Sequence, residues 1–294
     1  MFEVGGGRGL VGGSGALLLV SALAAAPVAA AHRMTVAASI APLAEFARRV
    51  GGERVDVHVL VPPAASPHTY ELQPSQVIEV SHARLLVLND VGLEFWAAKL
   101  VRSAANPELE VVDTSKGISL IDEGRAGANP HIWLDVRQAM VQVGHVRDAL
   151  VRADAAGAGV YRANAESFLA ELQKLDEEIA ARVAGWSQKE FVSFHPAWAY
   201  FARRYGLEQA AVIEKSPGRE PSPAELAGII ETVKRIGARA IFAEPQFSTR
   251  AAEAVASETG ARVVLLDPLG STVKDGGYVA MMRYNVNQMA GVLR

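Results

Sequence analysis

Four residues in this sequence have the types and settings for metal chemistry: His68, His131, His195 and Asp267. The apolar run VDVHVLV (55–61) is followed by PPAASPHTYE, which puts His68 in a proline-stiffened loop. His195 closes EFVSFH and precedes Pro196, and Asp267 closes ARVVLLD and precedes Pro268. His131 sits in ANPHIWLD, behind Pro130 and ahead of a helix that begins near Asp135. Imidazole nitrogen and carboxylate oxygen ligate divalent metals, and a rigid backbone is what a preorganised ligand set needs. The four are spread from 68 to 267, so no local spacing motif exists and the fold would have to assemble them. A single histidine at a strand end is more often a hydrogen-bonded structural residue, so the residues alone leave both readings open.

Composition narrows the alternatives. The chain has 294 residues, 50% of them hydrophobic, and no cysteine. Thiolate catalysis, cysteine-ligated zinc, iron–sulfur clusters and disulfides are excluded, and so is the thiol that a bacterial lipid anchor uses. Any metal must be held by His, Asp or Glu. A formal net charge of −3 supplies no electrostatic drive toward nucleic acid or an acidic membrane face. Of the remaining histidines, His58 and His82 sit within a strand and a helix, His32 and His145 read as exposed, and none is a ligand candidate. No G-x-S-x-G surrounds Ser66, Thr69 or Ser193, so a serine nucleophile elbow is absent.

The elements that must position these residues alternate between strand and helix. MTVAASI (34–40), VDVHVLV (55–61), ARLLVLN (83–89), EFVSFH (190–195), 209–214, ARAIFAE (238–244) and ARVVLLD (261–267) read as strands. Stretches 42–50, 73–82, 94–104, 197–205, 223–236 and 251–259 read as helices between them. This rhythm predicts an α/β fold with two lobes, each a mostly parallel sheet flanked by helices. In such sheets ligands gather at the carboxyl ends of the strands. From Tyr161 to Trp186 the large apolar residues Phe168, Leu172, Leu175, Ile179, Val183 and Trp186 recur at steps of three and four. That is an amphipathic helix of about 39 Å, expected to join the lobes as a rigid backbone and restrict their closure; a core helix of one lobe is the alternative.

The first residues read as an address. ALLLVSALAAAPVAAA (16–31) is an apolar run ending in small residues, with Ala29 and Ala31 at signal-peptidase spacing. The expected organisation is a signal peptide at 1–31, an N-terminal lobe at 32–160, a linking helix at 161–186 and a C-terminal lobe at 187–294. With no cysteine at the cleavage site, the expectation is a periplasmic protein without a lipid anchor.

Six ordered motifs carry a resemblance: PHTYE (67–71), NPHIWLD (129–135), FHPAWAY (194–200), GREPS (218–222), AEPQFS (243–248) and LDPLG (266–270), with Gly277–Tyr278 through Met282–Arg283–Tyr284–Asn285 following. Over nearly the whole chain after the signal, the sequence resembles the solute-binding proteins of zinc/manganese ABC importers. The resemblance implies two α/β lobes joined by a long helix, one divalent metal in the cleft, and His68, His131, His195 and Asp267 as its ligands. It implies a monomeric receptor that hands the ion to a permease in the inner membrane.

In that family a histidine at the third ligand position accompanies zinc and a carboxylate accompanies manganese. His195 therefore implies Zn2+, in keeping with the preference of imidazole sites, with Mn2+ or Fe2+ as alternatives. Many zinc members carry a His-rich loop between the first two ligands, whereas residues 106–130 here contain no histidine and offer Asp122 and Glu123. Four protein ligands leave no position for an activated water, which reads as transport and not catalysis. A secreted zinc hydrolase using the same ligands, or an adhesin with incidental metal, is the reading from another class. Glu244 is the candidate acceptor behind a ligand imidazole. Trp133 and Trp198 are expected to wall the site. Arg219 and Glu220 resemble a cleft-mouth motif, although Ser222 capping the helix at Pro223 explains that stretch equally simply.

Overall fold

The computed structural model describes residues 33–124, 127–216, 218–273 and 276–294, together with Met1, Gly6 and Gly9. The expected signal segment lies outside the described residues.

The first sheet contains β1 (Met34–Ala38), β2 (Val55–Val59), β3 (Leu85–Leu88) and β4 (Glu110–Asp113), in the spatial order β2-β1-β3-β4 and parallel throughout. Helices α1 (Ala41–Gly51), α2 (Pro74–Ser81) and α3 (Ala97–Ala104) connect them. The second sheet repeats this topology with β5 (Glu190–Ser193), β6 (Glu208–Val212), β7 (Ala240–Ala243) and β8 (Arg262–Leu265), in the order β6-β5-β7-β8. Its helices are α6 (Ala199–Tyr205), α7 (Pro223–Ile236) and α8 (Arg250–Thr259). Between the sheets in sequence run α4 (Val136–Ala153) and α5 (Ala158–Ala184), and α9 (Gly277–Leu293) closes the chain. Every residue of β3 and β7 is buried, as expected for central parallel strands covered on both faces. In each sheet the chain reverses its direction of winding between the two central strands, leaving a crevice at their carboxyl ends.

Helix α5 covers 27 residues, about 40 Å at 1.5 Å per residue, and starts three residues earlier than the apolar stripe suggests. Toward its N-terminus Phe168 packs on Phe46 of α1, and Asn164 donates to the Val50 carbonyl at 3.0 Å. Toward its C-terminus the buried Asp176 accepts from Arg137 of α4 at 2.7 Å and from Arg204 of α6 at 2.6 Å, while Glu178 pairs with Arg283 of α9. One apolar core runs from the first sheet through Phe168, Leu172 and Ile179 to Trp198, Phe201 and Met282. The helix therefore packs on elements of both sheets, and residues 32–294 form a single compact unit.

Local chemistry explains where the elements begin and end. Ser222 accepts from the Glu225 amide while Glu225 accepts from the Ser222 amide, a reciprocal cap that starts α7 at Pro223 as its sequence indicates. At its other end Gly237 takes φ 62°, which a residue without Cβ adopts freely. The helix expected from Glu94 begins instead at Ala97, because the Glu94 carboxylate turns back to accept the amides of Asn89 and Asp90, both at 2.9 Å. This holds Asp90 and Val91 at φ 65° and 58°. Two elements, β4 and α9, are not among the sequence expectations.

Candidate metal centre

His68 stands in the loop after β2, where Pro62 and Ala65 close one turn at 2.8 Å and Ser66 and Thr69 a second at 3.3 Å. His131 lies between Pro130 and a short 3-10 turn, Ile132–Leu134, whose end passes to Asp135; that carboxylate caps α4 by accepting the Arg137 amide at 2.8 Å. His195 lies two residues past the end of β5 and is succeeded by the turn Pro196–Trp198. The fold brings these three rings together: Nε2 of His131 lies 3.1 Å from Nε2 of His68 and 3.0 Å from Nε2 of His195. Among the described residues they are the one group of three or more His, Asp or Glu whose ligating atoms all lie within 4.8 Å. His131 and His195 are buried, and His68 is partly exposed.

The hydrogen bonds behind two of the rings determine what the front nitrogens carry. Glu244, at the end of the neighbouring strand β7, accepts from Nδ1 of His195 at 2.6 Å. Asn129 Oδ1 accepts both the backbone amide and Nδ1 of His131 at 2.9 Å, while its Nδ2 donates to the Pro196 carbonyl and Glu123, each at 2.7 Å. Those partners fix which end of the Asn129 side chain is oxygen, so Nδ1 of His131 carries the proton. Both Nε2 atoms then present lone pairs to each other, a repulsive arrangement unless a cation lies between. A tetrahedral zinc with Zn–N of about 2.05 Å sets its ligand nitrogens about 3.3 Å apart, close to the observed spacing.

Protonation works in the same direction. Burial lowers the pKa of His68 to about 3, with the neighbouring His195 adding to the effect. Burial also drives His131 well below the ordinary imidazole value, reinforced by His195 and His68. Both are neutral ligands at neutral pH. Burial raises the Glu244 carboxyl, against the opposing pull of His195.

Asp267 is placed differently. It is fully buried, and Oδ1 accepts from the amides of Leu269 at 3.1 Å and Gly270 at 3.0 Å and from Gln246 Nε2 at 3.2 Å. Oδ2 accepts from the Ser271 hydroxyl at 2.8 Å and the Thr272 amide at 2.6 Å. Its carboxylate is thus turned into its own loop, outside the three-histidine group.

The pocket in front of the histidines is walled by Ser66, Trp133, Gln246, Phe247, Pro268 and Leu269. The Trp133 ring lies 5.3 Å from that of His131, and its Nε1 donates to the Pro268 carbonyl at 2.8 Å. Phe247 covers His195 at 5.0 Å. Trp198 packs on Phe201 in the core and does not line this pocket, and Arg219 pairs with Glu225 at 2.6 Å beside the α7 cap. Asn129, Gln246 and Phe247 escape sequence reasoning. The one available signal is their position two or three residues before or after a candidate, in NPH and EPQF. Three buried oxygens at the pocket have no partner among the described residues: Ser66 Oγ, Glu244 Oε2 and Gln246 Oε1.

Comparison with known proteins places this chain in a family. A relative from Halalkalibacterium halodurans named "Manganese-binding lipoprotein MntA" is 32% identical over 263 residues, covering 86% of each chain. The "High-affinity zinc uptake system protein ZnuA" of Bacillus subtilis is 28% identical over 276 residues, covering 87% of this chain and 86% of its own. A solved structure titled "Crystal structure of ZnuA" superposes with a TM-score of 0.83 at 37% identity, covering 89% of this chain and all of the other. The family model described as "Zinc-uptake complex component A periplasmic" matches residues 36–292, and the chain belongs to that family.

Proposed function

We propose that this protein is the metal-capturing receptor of an ABC importer: it binds one Zn2+ as cargo on His68, His131 and His195 and delivers it to a membrane permease. The observation that carries the reading is the convergence of three Nε2 atoms at 3.0–3.1 Å, two of them with their tautomers set by Glu244 and Asn129. Three neutral imidazoles suit zinc better than manganese, since nitrogen sites rank zinc well above manganese. Asp267 is the fourth ligand, reached when its carboxylate turns from Ser271 and Thr272 toward the ion. Trp133 and Phe247 shield the pocket from water, and Glu244 holds His195 from behind.

The protein reads as a receptor and not an enzyme, because Glu244, the one carboxylate lining the pocket, is engaged with His195. The supporting mechanics are two lobes, 32–160 and 187–294, whose relative rotation is limited by the helix expected at 161–186. Residues 1–31 act as the export signal and the mature chain works in the periplasm as a monomer. Mn2+ or Fe2+ is the competing cargo, since one relative carries manganese in its name. The test is metal content and competition. Metal-stripped protein is expected to take up one zinc per chain in preference to manganese, and the triple variant His68→Ala, His131→Ala, His195→Ala to take up none. Equal retention by the triple variant would overturn the reading.

A further inference from the structure

We propose that Gln246 is the positioning residue that holds the His68 loop against the rest of the site and so sets how long a bound ion is retained; this rests on the assignment of the three histidines as metal ligands. His131 and His195 are each secured from behind, by Asn129 and Glu244, and their loops are tied together where Asn129 Nδ2 donates to the Pro196 carbonyl at 2.7 Å. Trp133 adds a second tie to the Pro268 carbonyl at 2.8 Å. His68 is the exception. It is the most exposed of the three, and among the described residues no side chain anchors its ring from behind.

Among the described residues, Gln246 makes the hydrogen bond that joins the His68 loop to the second half of the chain. The Nε2 of Gln246 donates to the Pro63 carbonyl at 2.8 Å and to Asp267 Oδ1 at 3.2 Å. Both partners are acceptors, so the nitrogen must face them, and Gln246 Oε1 is left buried without a partner. The amide is kept there for its two N–H groups although its oxygen goes unpaired. Pro63 lies in a segment stiffened by Pro62 and Pro67, so fixing its carbonyl restrains His68 a few residues on. Gln246 belongs to the same turn as Glu244 and Phe247, closed by the Phe247 amide on the Glu244 carbonyl at 3.2 Å. One turn after β7 therefore supports His195 directly and the His68 loop at a distance.

Loosening this bridge lets the His68 ring swing outward, leaving the ion on two imidazoles and the Asp267 carboxylate. Dissociation accelerates, while capture by His131 and His195 changes little. The experiment is stopped-flow transfer of zinc from the loaded full chain to an excess of chromophoric chelator. Gln246→Leu is expected to raise the dissociation rate about tenfold, the scale of one buried hydrogen bond. Gln246→Glu keeps the size but has no hydrogen to donate and faces Asp267, so it is expected to do the same, which covers failure of the leucine variant to fold. In a His68→Ala background the change at position 246 is expected to fall below twofold. No acceleration in either variant, or the same acceleration with and without His68, would overturn the proposal. If His68→Ala alone releases zinc no faster than the parent, the ligand assignment itself fails.

Discussion

Replacing Glu244 by alanine removes the acceptor behind His195 while leaving all three ligand rings in place. The bond is 2.6 Å between side chains exposed by only 3% and 1%, so no water replaces the lost partner. The variant leaves a buried N–H unsatisfied at a penalty of about 1–3 kcal/mol. It also frees the His195 ring to turn or to move its proton to Nε2, where it would block metal. Removing such an outer partner typically weakens metal affinity by about 10- to 100-fold. Glu244→Gln keeps an acceptor and loses the charge, exchanging a charge-assisted bond for a neutral one. That difference is about 1 kcal/mol, or roughly fivefold in affinity. Zinc affinity measured at pH 7.5 by competition with a chromophoric chelator should therefore follow the order parent, Gln, Ala. An alanine variant that keeps the parent's fold and binds zinc within twofold of it would refute the reasoning.

Other expectations follow from the same geometry. The folded-state pKa of His68 is near 3, against an ordinary value of 6.5, so its contribution to metal-free stability is complete above about pH 6.5 and is lost as pH falls toward 3; thermal melts across that range check the sign. Asp267→Ala should weaken zinc less than His131→Ala, because the carboxylate must first leave Ser271 and Thr272. Asp176→Asn takes the charge from the group that binds Arg137 and Arg204 and should destabilise the chain by about 2–3 kcal/mol, a drop of roughly 5–10 °C in melting temperature.

The legible and illegible parts of this fold divide by the range of the interactions that make them. The reciprocal cap of Ser222 and Glu225 is written three residues apart, and α7 begins where it indicates. The apolar stripe of α5 is equally local, with its ends displaced by a few residues. The histidine loops are readable because each histidine has a proline beside it, and those of His68 and His195 also follow an apolar run. Asn129, Gln246 and Phe247 are not, because their partners, Pro196, Pro63 and the His195 ring, are distant in sequence. The same limit hid the fate of Asp267: its sequence says that it closes a strand, but not that five donors await its oxygens. Strand β4 has only Val111 and Val112 between acidic ends, too short a signal to separate from loop. The turn at 89–96 departs from helix because of a carboxylate folding back on its own loop, which no periodicity records.

The central claim is that three imidazoles hold the ion together. Zinc K-edge X-ray absorption on the protein loaded with one equivalent of Zn2+ tests it directly. Three imidazole nitrogens at about 2.0–2.1 Å with one further oxygen are expected; a shell of oxygen ligands, or a single imidazole, would contradict it.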